Sequence, residues 1–129
     1  TEGHGTHVSG TILADGTGHG LLGVAPEARL LMGKVCGASG CSSASIAEGV
    51  NWGIQEKVDV ISMSLGGPFL FPSQAQAYKK AEQANIVVVA ASGNGGTATV
   101  SYPAAVDTVI AVGAVQEDMT KASFSQWGP

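Results

Sequence analysis

The sequence predicts an α/β fold, a three-layer αβα arrangement around a mostly parallel sheet. Three observations point there. Apolar residues recur every three to four positions in some segments and form short unbroken runs in others, the signatures of amphipathic helices and of strands buried on both faces. The two patterns alternate along the chain, as βαβ units require. Glycine supplies 19 of 129 residues and aromatics only 5%, so the layers must meet through small side chains and tight turns.

The elements follow in order. Val8, Ile12 and Leu13 give a short helix over 4–14, opened by Gly3-His4-Gly5. Asp15-Gly16-Thr17-Gly18-His19-Gly20 is a loop by composition. Residues 29–35 form a short apolar run and are predicted as a strand. Ser45 and Glu48 fit a capping box, and Ile46, Val50 and Ile54 carry a helix from there to about Lys57. A strand over 58–65 ends in Gly66-Gly67-Pro68. Ser73 and Gln76 open a second capped helix over 73–85. Residues 86–91 and 108–115 are two further strands. In open parallel sheets, sites form in the crevice beyond the carboxyl ends of the strands. That places the search at residues 64–68 and 92–96.

Composition narrows the function. The length allows one domain or part of one. With six Lys plus Arg and a net charge of −4, the chain lacks the clustered cations of a nucleic-acid surface. No apolar run nears the roughly 20 residues of a bilayer span, and no basic amphipathic helix suggests a membrane partner. Cys36 and Cys41 have four residues between them. This spacing suits a short-loop disulfide and an oxidising compartment; the alternative is two free thiols.

Three motifs have both a chemical and a structural reading. His4 and His7 are three apart on one helix, but H-E-x-x-H is absent and no third metal ligand is marked except His19, so no metal site is assigned. Residues 18–23 fit G-x-G-x-x-G, yet the match follows a helix and runs into Pro26, so it reads as a loop rather than a nucleotide site. Asn94, between glycines after the most apolar strand, is either a turn residue or a donor to developing negative charge.

Taken together and in order, G-H-G-T-H-V-S-G-T at 3–11, G-V-A-P at 23–26, D-V-I-S-M-S-L-G-G at 59–67, A-S-G-N at 91–94 and A-S-F-S-Q-W-G-P at 122–129 resemble the subtilisin-like serine proteases, or subtilases, over essentially the whole chain. The resemblance implies that His4 is the general base of a Ser-His-Asp triad and His7 a structural neighbour. It implies that Asn94 is the oxyanion donor, that Ser64, Leu65 and Gly66 pair with the substrate backbone, and that Ala91, Ser92 and Gly93 form the opposite wall of the primary specificity pocket. Ser101 lies at that pocket's base, small and uncharged, which implies a preference for large apolar or aromatic residues before the scissile bond. Residues 35–41 match the other substrate-flanking segment, so a Cys36–Cys41 disulfide would stiffen the rim of the cleft.

Subtilases order the triad Asp, His, Ser. Asp15-Gly16-Thr17-Gly18 follows the histidine and is no substitute for the aspartate, and no serine here sits in the nucleophile's Gly-Thr-Ser context. The expectation is therefore a central portion of a catalytic domain, residues 1–129. Its sheet would be incomplete, with an exposed edge, and it would be inactive alone, with the rest of the domain and a polypeptide substrate as its partners. The resemblance implies no required cofactor and a secreted or extracytoplasmic location. It leaves calcium open in the loop from Asp15 to Leu21 of the full-length enzyme, where Thr17 stands at the family's asparagine position. The alternative function is a non-catalytic, subtilase-derived peptide-binding scaffold.

Overall fold

The structure is a computed structural model that describes residues 3–128; the outermost bounds of the expected domain, Thr1 and Pro129, lie outside the described residues. Its elements are α1 (His4–Leu13), β1 (Cys36–Gly37), β2 (Gly40–Cys41), α2 (Ser43–Gln55), β3 (Val60–Met63), α3 (Pro72–Gln83), β4 (Val87–Ala91) and β5 (Val109–Val112). The β3, β4 and β5 strands form a parallel sheet in that order, and β1 and β2 form a separate antiparallel hairpin. The fold is α/β, as expected.

Register explains the layering. Val60, Ile61, Ser62 and Met63 pair with Val87, Val88, Val89 and Ala90, and Val88 pairs with Val109. Paired residues of a parallel sheet share a face, so Met63, Val88, Ala90 and Val109 all turn inward. There they meet Ile46, Ala47 and Val50 of α2 and Ala77, Tyr78 and Ala81 of α3. The alanines let the two helices approach each other and the sheet closely. The opposite face carries Val60, Val87, Ile110 and Val112, each about half exposed. The α1 helix has no buried residue. The described residues thus supply a three-stranded sheet with one helical layer, and leave the other face of the sheet bare.

Four sequence expectations change. Residues 29–35 have no strand partner among the described residues, so they form no ladder. They pack instead: Val35 joins the core, and Gly49 of α2 approaches it so closely that a Cβ there would stand 2.5 Å from Val35 Cγ1. The cap of α2 is Ser42 rather than Ser45. The Ser42 hydroxyl accepts from Ser45 N–H at 3.0 Å, and several serines in the run Cys41-Ser42-Ser43-Ala44-Ser45 compete for that role. The α3 helix begins at Pro72, whose fixed φ suits the first helical position, and Gln74 Oε1 accepts from Phe71 N–H at 3.3 Å. The sheet strands are also shorter than the apolar runs that predict them, because the ladder ends where the chains diverge into loops.

Candidate active site

Three segments converge at the carboxyl end of the sheet. Ser64, Leu65 and Gly66 leave β3; Ser92 and Gly93 follow Ala91 at the end of β4; Ser101 and Tyr102 lie against both. Ser101 N–H donates to the Ser92 carbonyl at 2.9 Å. Gly67 and Tyr102 exchange a pair of backbone hydrogen bonds, each 2.9 Å. Gly66 packs closely here, since a Cβ would stand 3.1 Å from the Tyr102 carbonyl and 3.5 Å from Ser101 Cβ, and the Tyr102 backbone would have to give by a few tenths of an ångström. The expected substrate-strand residues and the expected pocket wall are therefore held together by backbone bonds, with Ser101 between them. Leu65 turns inward and packs on the core.

His4 reaches this edge from α1. Gly3 precedes it with φ 71°, a left-handed conformation that glycine adopts without strain, and the Gly3 carbonyl accepts from His7 N–H at 2.9 Å. The exposed His4 ring places Nε2 2.9 Å from the Ser64 carbonyl, 60 residues along the chain. A carbonyl only accepts, so Nε2 carries the hydrogen in this arrangement. His7 and His19 are exposed, and no group of three or more His, Cys, Asp or Glu that could hold a metal occurs among the described residues.

Asn94 is exposed between Gly93, with φ 115°, and Gly95. One side chain that sequence reasoning missed holds this loop. Gln126 Oε1 accepts from Gly95 N–H at 3.1 Å and from the Ser101 hydroxyl at 3.2 Å, while Gln126 Nε2 donates to the Thr99 carbonyl. The Gln126 main chain adds two bonds: its N–H donates to the Gly93 carbonyl at 3.0 Å, and its carbonyl accepts from the Ser92 hydroxyl at 2.8 Å. Nothing local marks Gln126, because these partners lie 25 to 34 residues earlier.

Two hollows flank the convergence. One, of about 460 Å³, is lined by Pro68, Thr99, Ser101, Tyr102, Ala105 and Gln126, with no charged group among its described lining residues. The other, of about 320 Å³, lies between Leu65, Phe69, Phe71, Tyr102 and Cys41. Cys41 is disulfide-bonded to Cys36 across the β1–β2 hairpin, so the rim of this hollow is cross-linked. The loop from Asp15 to Leu21 offers a calcium ion one carboxylate and its backbone carbonyls. Calcium takes six to eight oxygens. The Asp15 carboxylate is the single acidic group there, and its Oδ1 already accepts from the Thr17 hydroxyl at 2.6 Å and Thr17 N–H at 2.9 Å. Those two bonds hold the Asp15 carboxyl below the usual carboxylate range.

Comparison with known proteins adds four findings. A family model described as the subtilase family matches residues 1–129. The chain is 49% identical over 132 residues to subtilisin DY of Bacillus licheniformis, covering 98% of this chain and 48% of that protein. It is 47% identical over 131 residues to the major intracellular serine protease of Bacillus subtilis, covering 96% of this chain and 41% of that protein. The solved structure of the patellamide maturation protease PatA superposes with a TM-score of 0.90 at 28% identity, covering 99% of this chain and 49% of that one. The chain spans about half the length of the curated relatives it matches.

Proposed function

The chain belongs to the subtilase family of serine proteases, and from that premise we propose that its full-length protein is a serine endopeptidase working through a Ser-His-Asp triad and an acyl-enzyme. One observation carries the reading: His4, residues 64–66 and the loop of Asn94 meet at the carboxyl edge of one parallel sheet. A pure binding module needs neither a histidine nor an asparagine donor at that edge.

The triad aspartate would come from upstream of this span and the nucleophilic serine from downstream. His4 would take the serine's proton as it attacks and return it to the leaving amine. For that, Nε2 must present a lone pair, whereas here it donates to the Ser64 carbonyl. An aspartate accepting from Nδ1–H would move the hydrogen to the other ring nitrogen and free Nε2. Asn94 would donate its amide hydrogens to the tetrahedral oxyanion. Ser64, Leu65 and Gly66 would pair with the substrate as an added strand. The uncharged base at Ser101 supports a preference for large apolar or aromatic residues before the scissile bond.

The Cys36–Cys41 disulfide supports a secreted or extracytoplasmic location, since such bonds persist in oxidising compartments. The relative in Bacillus subtilis is intracellular by name, so the disulfide carries this point rather than kinship. No described helix is long and apolar enough to cross a membrane.

The test is to express the full-length protein, challenge it with a serine-directed fluorophosphonate, and profile a peptide library. Labelling with cleavage after Phe, Tyr or Leu is expected. Peptide binding without labelling would make the protein a subtilase-derived scaffold, and cleavage after charged residues would overturn the pocket reading.

A further inference from the structure

Gln126 is the side chain through which the Asn94 loop and the pocket base touch. Its Oε1 accepts simultaneously from Gly95 N–H, one residue past Asn94, and from the hydroxyl of Ser101. Its Nε2 binds the Thr99 carbonyl, two residues before Ser101. The fit is close: a Cβ at Gly93 would overlap Gln126 Oε1, and a Cβ at Gly95 would stand 3.4 Å from it. Gly93 and Gly95 are thus glycines with the Gln126 amide seated against them. Backbone bonds hold the two ends of residues 93–96, from Gln126 N–H to the Gly93 carbonyl at 3.0 Å and from Gly96 N–H to the Phe124 carbonyl at 2.7 Å, but at Gly95, beside Asn94, the Gln126 amide supplies the restraint on a glycine-rich backbone.

We propose that Gln126 is a positioning residue, which clamps the loop of Asn94 to the base of the primary specificity pocket. An oxyanion donor works only when its hydrogens are already aimed at the site of developing charge, and a misplacement of about 1 Å costs about 100-fold. Gln126 sets that aim without touching the reacting atoms. Because one carbonyl oxygen holds both Gly95 and Ser101, a change in the pocket base is transmitted to Asn94. The inference rests on the endopeptidase reading.

The test uses the full-length protein with Gln126→Leu, which keeps the bulk and removes both bonding atoms. The expected result is a fall in kcat of about 10- to 100-fold with KM changed less. The same substitution made on Asn94→Ala should cost less than about twofold more, because the donor it aims is already gone. A purely structural role predicts the same fold loss in both backgrounds, and that result would overturn the proposal, as would kcat unchanged in Gln126→Leu. Amide exchange on the unsubstituted protein gives a second readout that needs neither turnover nor a variant. The Gly95 amide should be protected in the unsubstituted protein, and exchange at the free-chain rate overturns the clamp. Protection of Gly95 that Gln126→Leu abolishes, in a protein that cleaves nothing, would instead remove the endopeptidase reading and leave the clamp standing.

Discussion

Gly93 leaves β4 with φ 115°, in a space where a Cβ would overlap Gln126 Oε1 and stand 2.8 Å from Ser101 Oγ. The backbone conformation is strained for any side chain, and a Cβ would also displace the Gln126 amide. Gly93→Ala in the full-length protein should lose about 1–3 kcal/mol, read from urea unfolding, and should also lower turnover because Asn94 is adjacent. Asn94→Ala should leave stability nearly unchanged, since its side chain is exposed. It should lower kcat about 100- to 1,000-fold, a magnitude carried over from the corresponding donor in subtilisin; steady-state kinetics checks it. Tyr78 presents the opposite case. It is 1% exposed, and its hydroxyl has no partner among the described residues. Burial pushes its pKa from 10.0 up to about 12. The folded state therefore prefers the protonated ring. That preference contributes stability fully below pH 10.0 and is lost as pH rises towards about 12. Tyr78→Phe should be neutral or stabilising, by up to about 1–3 kcal/mol. It should also flatten the alkaline loss, which unfolding curves across that pH range would show.

At the scale of elements, α2 carries the most informative contact. Replacing an exposed helical glycine by alanine normally gains about 1 kcal/mol. At Gly49 the new Cβ would stand 2.5 Å from Val35 Cγ1, and valine is stiff about χ1. Gly49→Ala is therefore expected to destabilise by about 1–3 kcal/mol, and the double variant Gly49→Ala/Val35→Ala should recover part of that loss. Denaturant midpoints of the three variants decide it; simple additivity would mean that residues 29–35 do not press on α2. The β1–β2 hairpin works differently. Four paired residues make no independently stable ribbon, and the Cys36–Cys41 bond closes it on itself while Cys41 lines the hollow shared with Leu65 and Phe69.

Across the whole molecule, one face of the sheet is packed and the other is bare. Met63, Val88, Ala90 and Val109 are buried under α2 and α3, while Val60, Val87, Ile110 and Val112 show about half their surface. An apolar face of that kind on a parallel sheet demands a second layer. The 129-residue chain prepared alone should therefore self-associate and bind a hydrophobic dye, and the full-length protein should do neither. Size-exclusion chromatography with dye titration checks this. A monomeric, dye-silent chain would mean that the bare face is covered from within.

The α/β class, the three helices, the three sheet strands and the family are all legible along the chain, because each rests on local periodicity or on contiguous motifs such as G-H-G-T-H and A-S-G-N. Through the family resemblance the sequence nominated His4, Ser64, Ser92, Asn94 and Ser101 as site residues, since each stands inside or just after a contiguous motif. It did not determine which serine caps α2, because capping is a competition among neighbours decided by how the helix docks. It overstated residues 29–35, because a strand exists only with a partner, and pairing is not a local property. Only the tertiary structure brought Gln126 against Gly95 and Ser101, and His4 against the Ser64 carbonyl. Those contacts join residues 25 to 60 positions apart, and no periodicity along the chain encodes a meeting at that range.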